Sequence, residues 1–268
     1  MFVLRRSLVN AVRPRYAERM SITAALLFVV GPDGLVLSTE GRLPASGELP
    51  TLSGFDFGTL DGRPCRAAWG DNIPPGFMAV SLRRAAGLLD ERTWAMAGRA
   101  AQLVHFERTH RFCGSCGAAT VRVETEHARR CEGCGLVAYP RVSPAVIVLV
   151  ERADEVLLAH GARHTGRTFS ALAGFVEPGE TLEEAAVREV REEVGIDIAD
   201  LRYVASQPWP FPHSLMVAFR ATWVGGDLRA DGTEILEAGW FSRDALPDVP
   251  PPPTIARRLI DGWLAEPR

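Results

Sequence analysis

The sequence predicts an α/β fold in three parts, and three observations carry that prediction. The chain has 268 residues, slightly under two domains at about 150 residues each. Four of its five cysteines fall in two C-x-x-C pairs near the middle, Cys113/Cys116 and Cys131/Cys134. Beyond them a continuous apolar run, Ala145 to Val150, suits a strand inside a sheet. A segment of helical period follows from Thr181 to Val194. The expected parts are an N-terminal α+β domain over 1–108, a cysteine module over 109–140 and an α/β domain over 141–268.

Composition removes several classes. Thirty basic and 33 acidic residues leave a net charge of −3, with 47% hydrophobic and 24% charged residues. This is ordinary globular usage, not a disordered chain, a collagen-like fibre or a basic nucleic-acid coat. The apolar runs are far shorter than the ~20 residues of a membrane span. Every basic residue is arginine. Without lysine, neither a Schiff base nor the lysine of a P-loop is available.

At the start, Arg5, Arg6, Arg13 and Arg15 precede the apolar stretch Ile22 to Val30. A signal peptide would continue with small residues, but Gly31-Pro32-Asp33-Gly34 is a turn. The stretch reads as strand, turn and strand into Leu35-Val36-Leu37, with an organelle transit segment as the alternative. Short apolar runs then alternate with turns such as Asp61-Gly62 and Pro74-Pro75-Gly76. Ser81 to His105 reads as one helix, with Leu82, Ala85, Leu88 and Leu89 at helical spacing. Nothing in this third points to chemistry, and Cys65 reads as a lone buried thiol.

In the cysteine module two residues separate the thiols of each pair, which lets both reach one tetrahedral Zn²⁺. Gly117 and Gly135 follow the pairs and permit a left-handed turn. Thr120 to Glu124 alternates like a strand. Together these predict a zinc ribbon holding one Zn²⁺ per chain. Four thiolates close the coordination shell, so the metal is structural. Nucleic-acid binding through Arg129 and Arg130 ranks second. Thiols kept free for metal suit a reducing compartment, hence the cytoplasm.

In the third part, Val156 to Ala159 continues a hairpin. Further strands are expected near Leu201 to Ser206, Leu215 to Val224 and Ala238 to Phe241. The proline run Pro250 to Pro253 leads into a last helix, Thr254 to Leu264. The helix at Thr181 begins with a capping box, Thr181 with Glu184, and Gly195 sits at its C-terminal cap. Glu189 and Glu193 stack at i and i+4, with Glu192 on the edge. Such carboxylates lie ~5–6 Å apart and repel by roughly 3 kcal/mol at an effective dielectric of about 20. A solvated acidic face leaves that repulsion, and the glycine-rich turn before it, unexplained. A hard divalent cation, Mg²⁺ or Mn²⁺, explains both.

This segment resembles the Nudix hydrolase signature G-x5-E-x7-R-E-U-x-E-E-x-G-U, where U is bulky and aliphatic. Gly174, Glu180, Arg188, Glu189, Val190, Glu192, Glu193, Gly195 and Ile196 fill every defined position. The resemblance implies an α/β/α sandwich that hydrolyses a nucleoside diphosphate linked to another group. It implies metal ligation by Glu189 and Glu193, helped by Glu192 and the Ala173 carbonyl. Glu180 would pair with Arg188 to brace the loop and helix.

Downstream, Ser206-Gln207-Pro208-Trp209-Pro210-Phe211-Pro212-His213-Ser214 alternates prolines with aromatics. Proline fixes an extended chain. The aromatics read equally as a platform for flat rings or as core filling. The segment resembles the array of the NADH pyrophosphatase branch, with His213 at its variable position. That resemblance implies cleavage of NADH or NAD⁺ to nicotinamide mononucleotide and AMP, and removal of NAD caps from RNA 5′ ends. It implies substrate binding by Gln207, Pro208, Trp209, Pro210, Phe211, Pro212, His213 and Ser214, with further contacts from Glu126 and the Ala256 main chain. Glu234 matches a downstream metal ligand, with Glu237 as its rival. Tyr139 and Phe175 match the adenine sandwich, the tyrosine coming from a partner subunit, which implies a homodimer. The alternatives are a Nudix hydrolase of another nucleotide, such as ADP-ribose, and a zinc-ribbon nucleic-acid-binding regulator. His105, His110, His127, His160 and His164 follow no ligand spacing.

Overall fold

The structure, a computed structural model, describes residues 25–45, 47–49, 52–162 and 166–267. The arginine-rich start and His164 lie outside these residues.

Five strands form the N-terminal sheet: β1 (Leu26–Gly31), β2 (Gly34–Ser38), β3 (Gly54–Leu60), β4 (Arg63–Trp69) and β5 (Phe77–Val80). Their order is β3-β4-β1-β2-β5, with β1 and β4 parallel and the other neighbours antiparallel. The expected turn joins β1 to β2. Gly34 (φ 132°) is obligatory there, because a Cβ would lie 2.3 Å from the Val80 carbonyl.

The single helix expected over Ser81 to His105 is two, α1 (Leu82–Ala85) and α2 (Glu91–Thr109). Asp90 breaks it. Its carboxylate accepts from the amides of Arg92 (3.1 Å) and Thr93 (3.0 Å), so a cap forms where helical spacing alone reads through. Along α2, Trp94, Ala97, Ala100, Leu103 and Val104 pack on Phe28, Leu35, Leu37, Phe57 and Ala67 of the sheet.

The cysteine module is a three-stranded antiparallel sheet of β6 (Thr120–Arg122), β7 (Arg129–Cys131) and β8 (Val137–Ala138). Glu107 of α2 fastens it to the first domain, accepting from Arg122 (3.0 Å) and from Arg129. Arg129 also donates to the Thr120 carbonyl at 2.7 Å and the His110 carbonyl at 3.1 Å. It is therefore a structural cation rather than a free nucleic-acid contact.

The last part contains β9 (Ser143–Arg152), β10 (Glu155–Gly161), β11 (Leu172–Phe175), α3 (Leu182–Val194), β12 (Asp197–Trp209), β13 (Ser214–Gly225), β14 (Ile235–Ser242) and α4 (Ile255–Leu264). The sheet runs β12-β13-β9-β10-β14, with β11 also paired to β9 and with β9 and β13 parallel. Alternation along β9 sorts its residues to two faces. Val146, Val148 and Val150 meet Ala185, Ala186, Val190 and Val194 of α3. Ile147 and Leu149 meet Ile255, Leu259, Ile260 and Trp263 of α4. A helix thus covers each face, giving the expected α/β/α sandwich. Trp263 is fully buried, and its truncation to alanine would cost about 3–5 kcal/mol.

Candidate active site

The helix α3 starts and stops where its sequence dictates. Thr181 Oγ1 accepts from the Glu184 amide at 3.1 Å, and Glu184 Oε2 accepts from the Thr181 amide at 2.8 Å. Gly195, at φ 76°, closes the helix in a left-handed cap.

Arg188 organises the turn before the helix. Its Nε donates to Glu180 Oε1 at 2.5 Å, and its Nη2 to Glu180 Oε2 and to the Phe175 carbonyl, each at 2.9 Å. The Arg188 bonds, with the Glu177 amide, hold Glu180 at about 2. The other Arg188 nitrogen, Nη1, reaches Glu189 at 2.9 Å and Glu192 at 3.0 Å. Glycine at 174 is required by proximity, since a Cβ there would lie 1.8 Å from the Glu189 carboxyl carbon.

Glu193 is the most unusual group. It is 6% exposed, and its Oε2 is buried with no hydrogen-bond partner. Burial, then the charges of Glu189, Glu234 and Asp231, push its carboxyl up to about 8, against a pull from the Ala173 amide. Burial also raises Glu189. A buried carboxylate oxygen with no partner, in the field of other carboxylates, suits a hard cation, and oxygen donors suit Mg²⁺ or Mn²⁺.

Glu193, Glu234 and Ala173 line a cavity of about 820 Å³. Trp209 and Phe211 line it too, with Ala256 and the proline run Pro250–Pro253. The array spans the end of β12 (to Trp209), a turn, and Ser214 at the start of β13. Trp209 and Phe211 meet edge to face, centroids 4.9 Å apart, and the Arg83 guanidinium lies 4.2 Å from the Phe211 centroid. Both readings of these rings are compatible with their placement. They pack on the N-terminal core while lining the cavity. Pro210 between them seats on Gly98 of α2, where a Cβ would lie 2.9 Å from Pro210 Cγ.

Other array residues face elsewhere. Gln207 donates to the Pro253 carbonyl (2.7 Å) and accepts from the Ile255 amide (2.8 Å), bracing the proline run against β12. Pro208 pairs with Leu215 in the hairpin, and Pro212 lies in its turn. His213 Nδ1 meets Ser143 Oγ at 3.2 Å, and Ser214 is buried.

Glu234 and Glu237 are separated. Glu234 lines the cavity, whereas Glu237 is bound by Arg167 at 2.8 Å outside it. Glu126 accepts from the Tyr139 hydroxyl at 3.4 Å on the ribbon. Tyr139 is 58% and Phe175 55% exposed, and neither lines the cavity. Sequence reasoning missed Arg83 and Trp94, which line the cavity from the N-terminal domain. No local motif marks either residue.

In the ribbon, Gly117 (φ 75°) and Gly135 (φ 78°) close two knuckles whose amides return to the Cys113 and Cys131 carbonyls. Cys113 and Cys134 sulfurs are 3.7 Å apart, those of Cys116 and Cys131 3.4 Å, and the four ligating atoms lie within 4.8 Å of one another. Tetrahedral Zn²⁺ with ~2.3 Å bonds places sulfurs ~3.8 Å apart. The backbone amide of Cys134 leads in drawing the Cys131 thiol down to about 6. Against the pull of the Ala118 amide, the thiols of Cys131 and Cys134 lead in pushing Cys116 up to about 12. Sulfurs this close ionise together only around a cation, so the set fits Zn²⁺.

The NUDIX domain family matches residues 141–261, and the NADH pyrophosphatase zinc ribbon domain matches residues 108–139. The chain is 46% identical over 246 residues to the NAD-capped RNA hydrolase NudC of Deinococcus radiodurans, covering 90% of this chain and 88% of that one. It is 54% identical over 222 residues to the NAD-capped RNA hydrolase NudC of Pectobacterium atrosepticum, covering 80% and 85% respectively. Among solved structures it resembles a NUDIX hydrolase from Nitrosomonas europaea, with TM-score 0.50, 25% identity, and coverage of 57% of this chain and 90% of that one.

Proposed function

The chain belongs to the Nudix hydrolase family, in the branch with an NADH pyrophosphatase zinc ribbon, and on that premise we propose that it hydrolyses the pyrophosphate bond of NAD. The substrates are NADH and NAD⁺, cleaved to the (reduced) nicotinamide mononucleotide and AMP, and NAD caps at RNA 5′ ends. One observation carries the reading. Glu193, one oxygen of which lacks a partner, shares a cavity with the Trp209–Phe211 pair, so an acid site and an aromatic wall face one volume.

Glu189, Glu193, Glu234 and the Ala173 carbonyl would hold Mg²⁺ or Mn²⁺, with Glu192 at the edge. Bound there, the cation would neutralise diphosphate charge and acidify a water nucleophile. Glu180 and Arg188 keep the turn rigid and hold Glu189 in place. Trp209 and Phe211 form the aromatic wall that orients the dinucleotide. The four cysteines hold structural Zn²⁺. Tyr139 and Phe175 sandwich the adenine across a homodimer, a role supported by their exposure outside the cavity of a single chain. Free thiols at a zinc site support residence in the reducing cytoplasm.

Chromatography of the products from NADH, ADP-ribose and an NAD-capped RNA, with Mg²⁺ or Mn²⁺, tests the proposal beside Glu193→Gln. Expected are AMP and reduced nicotinamide mononucleotide from NADH, decapped RNA, and loss of both activities in the variant. Faster cleavage of ADP-ribose than of NADH would reassign the substrate. Salt-sensitive RNA binding without any turnover would replace the enzyme by a binding regulator.

A further inference from the structure

The loop between β13 and β14 carries Glu234, and Asp231 in that loop touches both halves of the carboxylate site. The last turn of α3 leaves carbonyls without helical partners. This loop takes two of them. The Arg229 amide donates to the Val194 carbonyl and the Asp231 amide to the Glu193 carbonyl, each at 3.0 Å. From that anchor the Asp231 carboxylate turns forward under the next three residues. Oδ1 accepts from the amides of Thr233 (3.2 Å), Glu234 (3.2 Å) and Ile235 (2.7 Å). Oδ2 accepts from the Glu234 amide at 3.1 Å and from the Thr233 hydroxyl. A carboxylate that accepts from three amides and a hydroxyl makes charge-assisted bonds, which are strong. The Gly232 amide closes the loop on the Ile235 carbonyl at 3.0 Å, and Ile235 anchors it in the core.

Resting on the assignment of Glu193 and Glu234 as divalent-cation ligands, we infer that Asp231 is a positioning residue that sets the distance between them. Its backbone fixes it to the helix end bearing Glu193, and its carboxylate fixes the peptide that bears Glu234. It coordinates nothing itself. Removing a group that orients ligands in this way typically weakens metal binding roughly 10–100-fold. A loop-shaping aspartate with no such role would affect stability alone.

The test uses the full zinc-loaded chain and Mn²⁺, titrated without substrate and read by the electron paramagnetic resonance of the free ion. Asp231→Ala is expected to weaken Mn²⁺ binding about tenfold or more. Asp231→Asn keeps an oxygen for the amides and is expected to stay within roughly threefold of the parent. Thermal unfolding of each variant separates positioning from stability. Unchanged Mn²⁺ affinity in Asp231→Ala, or an equal loss in Asp231→Asn, overturns the inference. If Asp231→Ala does not fold, Thr233→Ala removes one partner of the carboxylate and is expected to weaken binding in the same direction. Unaltered affinity there counts against it. Glu193→Gln and Glu234→Gln serve as controls. If both bind Mn²⁺ normally, the acid-site assignment falls and this inference with it. If they lose binding while Asp231→Ala does not, only the inference falls.

Discussion

At the scale of single residues, Glu193 sets the site's pH behaviour. Its folded carboxyl keeps a proton up to about 8, whereas the ordinary glutamate value is 4.5. Between those values folding takes up a proton, so stability declines as pH rises. Protein dialysed free of Mg²⁺ and Mn²⁺, with zinc retained, is therefore expected to lose up to about 1.4 kcal/mol of unfolding free energy per pH unit in that window. Glu193→Gln should flatten the slope. Urea unfolding at several pH values measures it, and an equal slope in parent and variant would contradict the assignment. Gly174 belongs to the same scale, since the Glu189 carboxylate occupies the place of its missing side chain.

At the scale of elements, α3 was legible in full. Its cap, its acid spacing and its terminal glycine are all local signals, and the structure repeats them. The long helix before the ribbon was misread because helical spacing continues across Asp90 while capping chemistry does not. The proline–aromatic hairpin was half legible. Its prolines announce an extended, rigid chain, but what it leans on lies in another domain. Only the structure brings Gly98 of α2 beneath Pro210. Enlarging that glycine therefore tests the platform without touching the acids. Gly98→Val is expected to raise KM for NADH about tenfold or more, with a smaller change in kcat. Steady-state kinetics would show it, and a loss confined to kcat would mean the hairpin's seat does not shape binding.

At the scale of the whole molecule, the chain joins three folding solutions. Two are ordinary packed cores, while the ribbon depends on its metal and on Glu107 reaching across from α2. The sequence announced the ribbon through spacing and the hydrolase fold through its signature. It was silent on Arg83 and Trp94, because their relevance comes from tertiary placement. Apolar side chains are exposed along the end of the ribbon and the start of the last domain (Leu136, Val137, Tyr139 and Val142), and Phe175 is exposed on β11, opposite Ala145 near the start of β9. Such a group is unusual on a monomer's surface and is expected to be covered by a second copy. Light scattering should give twice the mass of one chain, and Val142→Asp should shift it towards one with loss of NADH cleavage. A parent of single-chain mass with full activity would refute the dimer.

The Gln207 amide acts as a gauge block for the cavity. Prolines lack an N–H, so the strap Pro250–Pro253 cannot be laced to a sheet by a regular ladder. One side chain, donor to Pro253 and acceptor from Ile255, sets its separation from β12 instead. The calibre of the cavity thus depends in part on one uncharged side chain as well as on the walls. Glutamate there would present lone pairs to the Pro253 carbonyl and force the strap outward. The cavity would widen with every lining residue still in place.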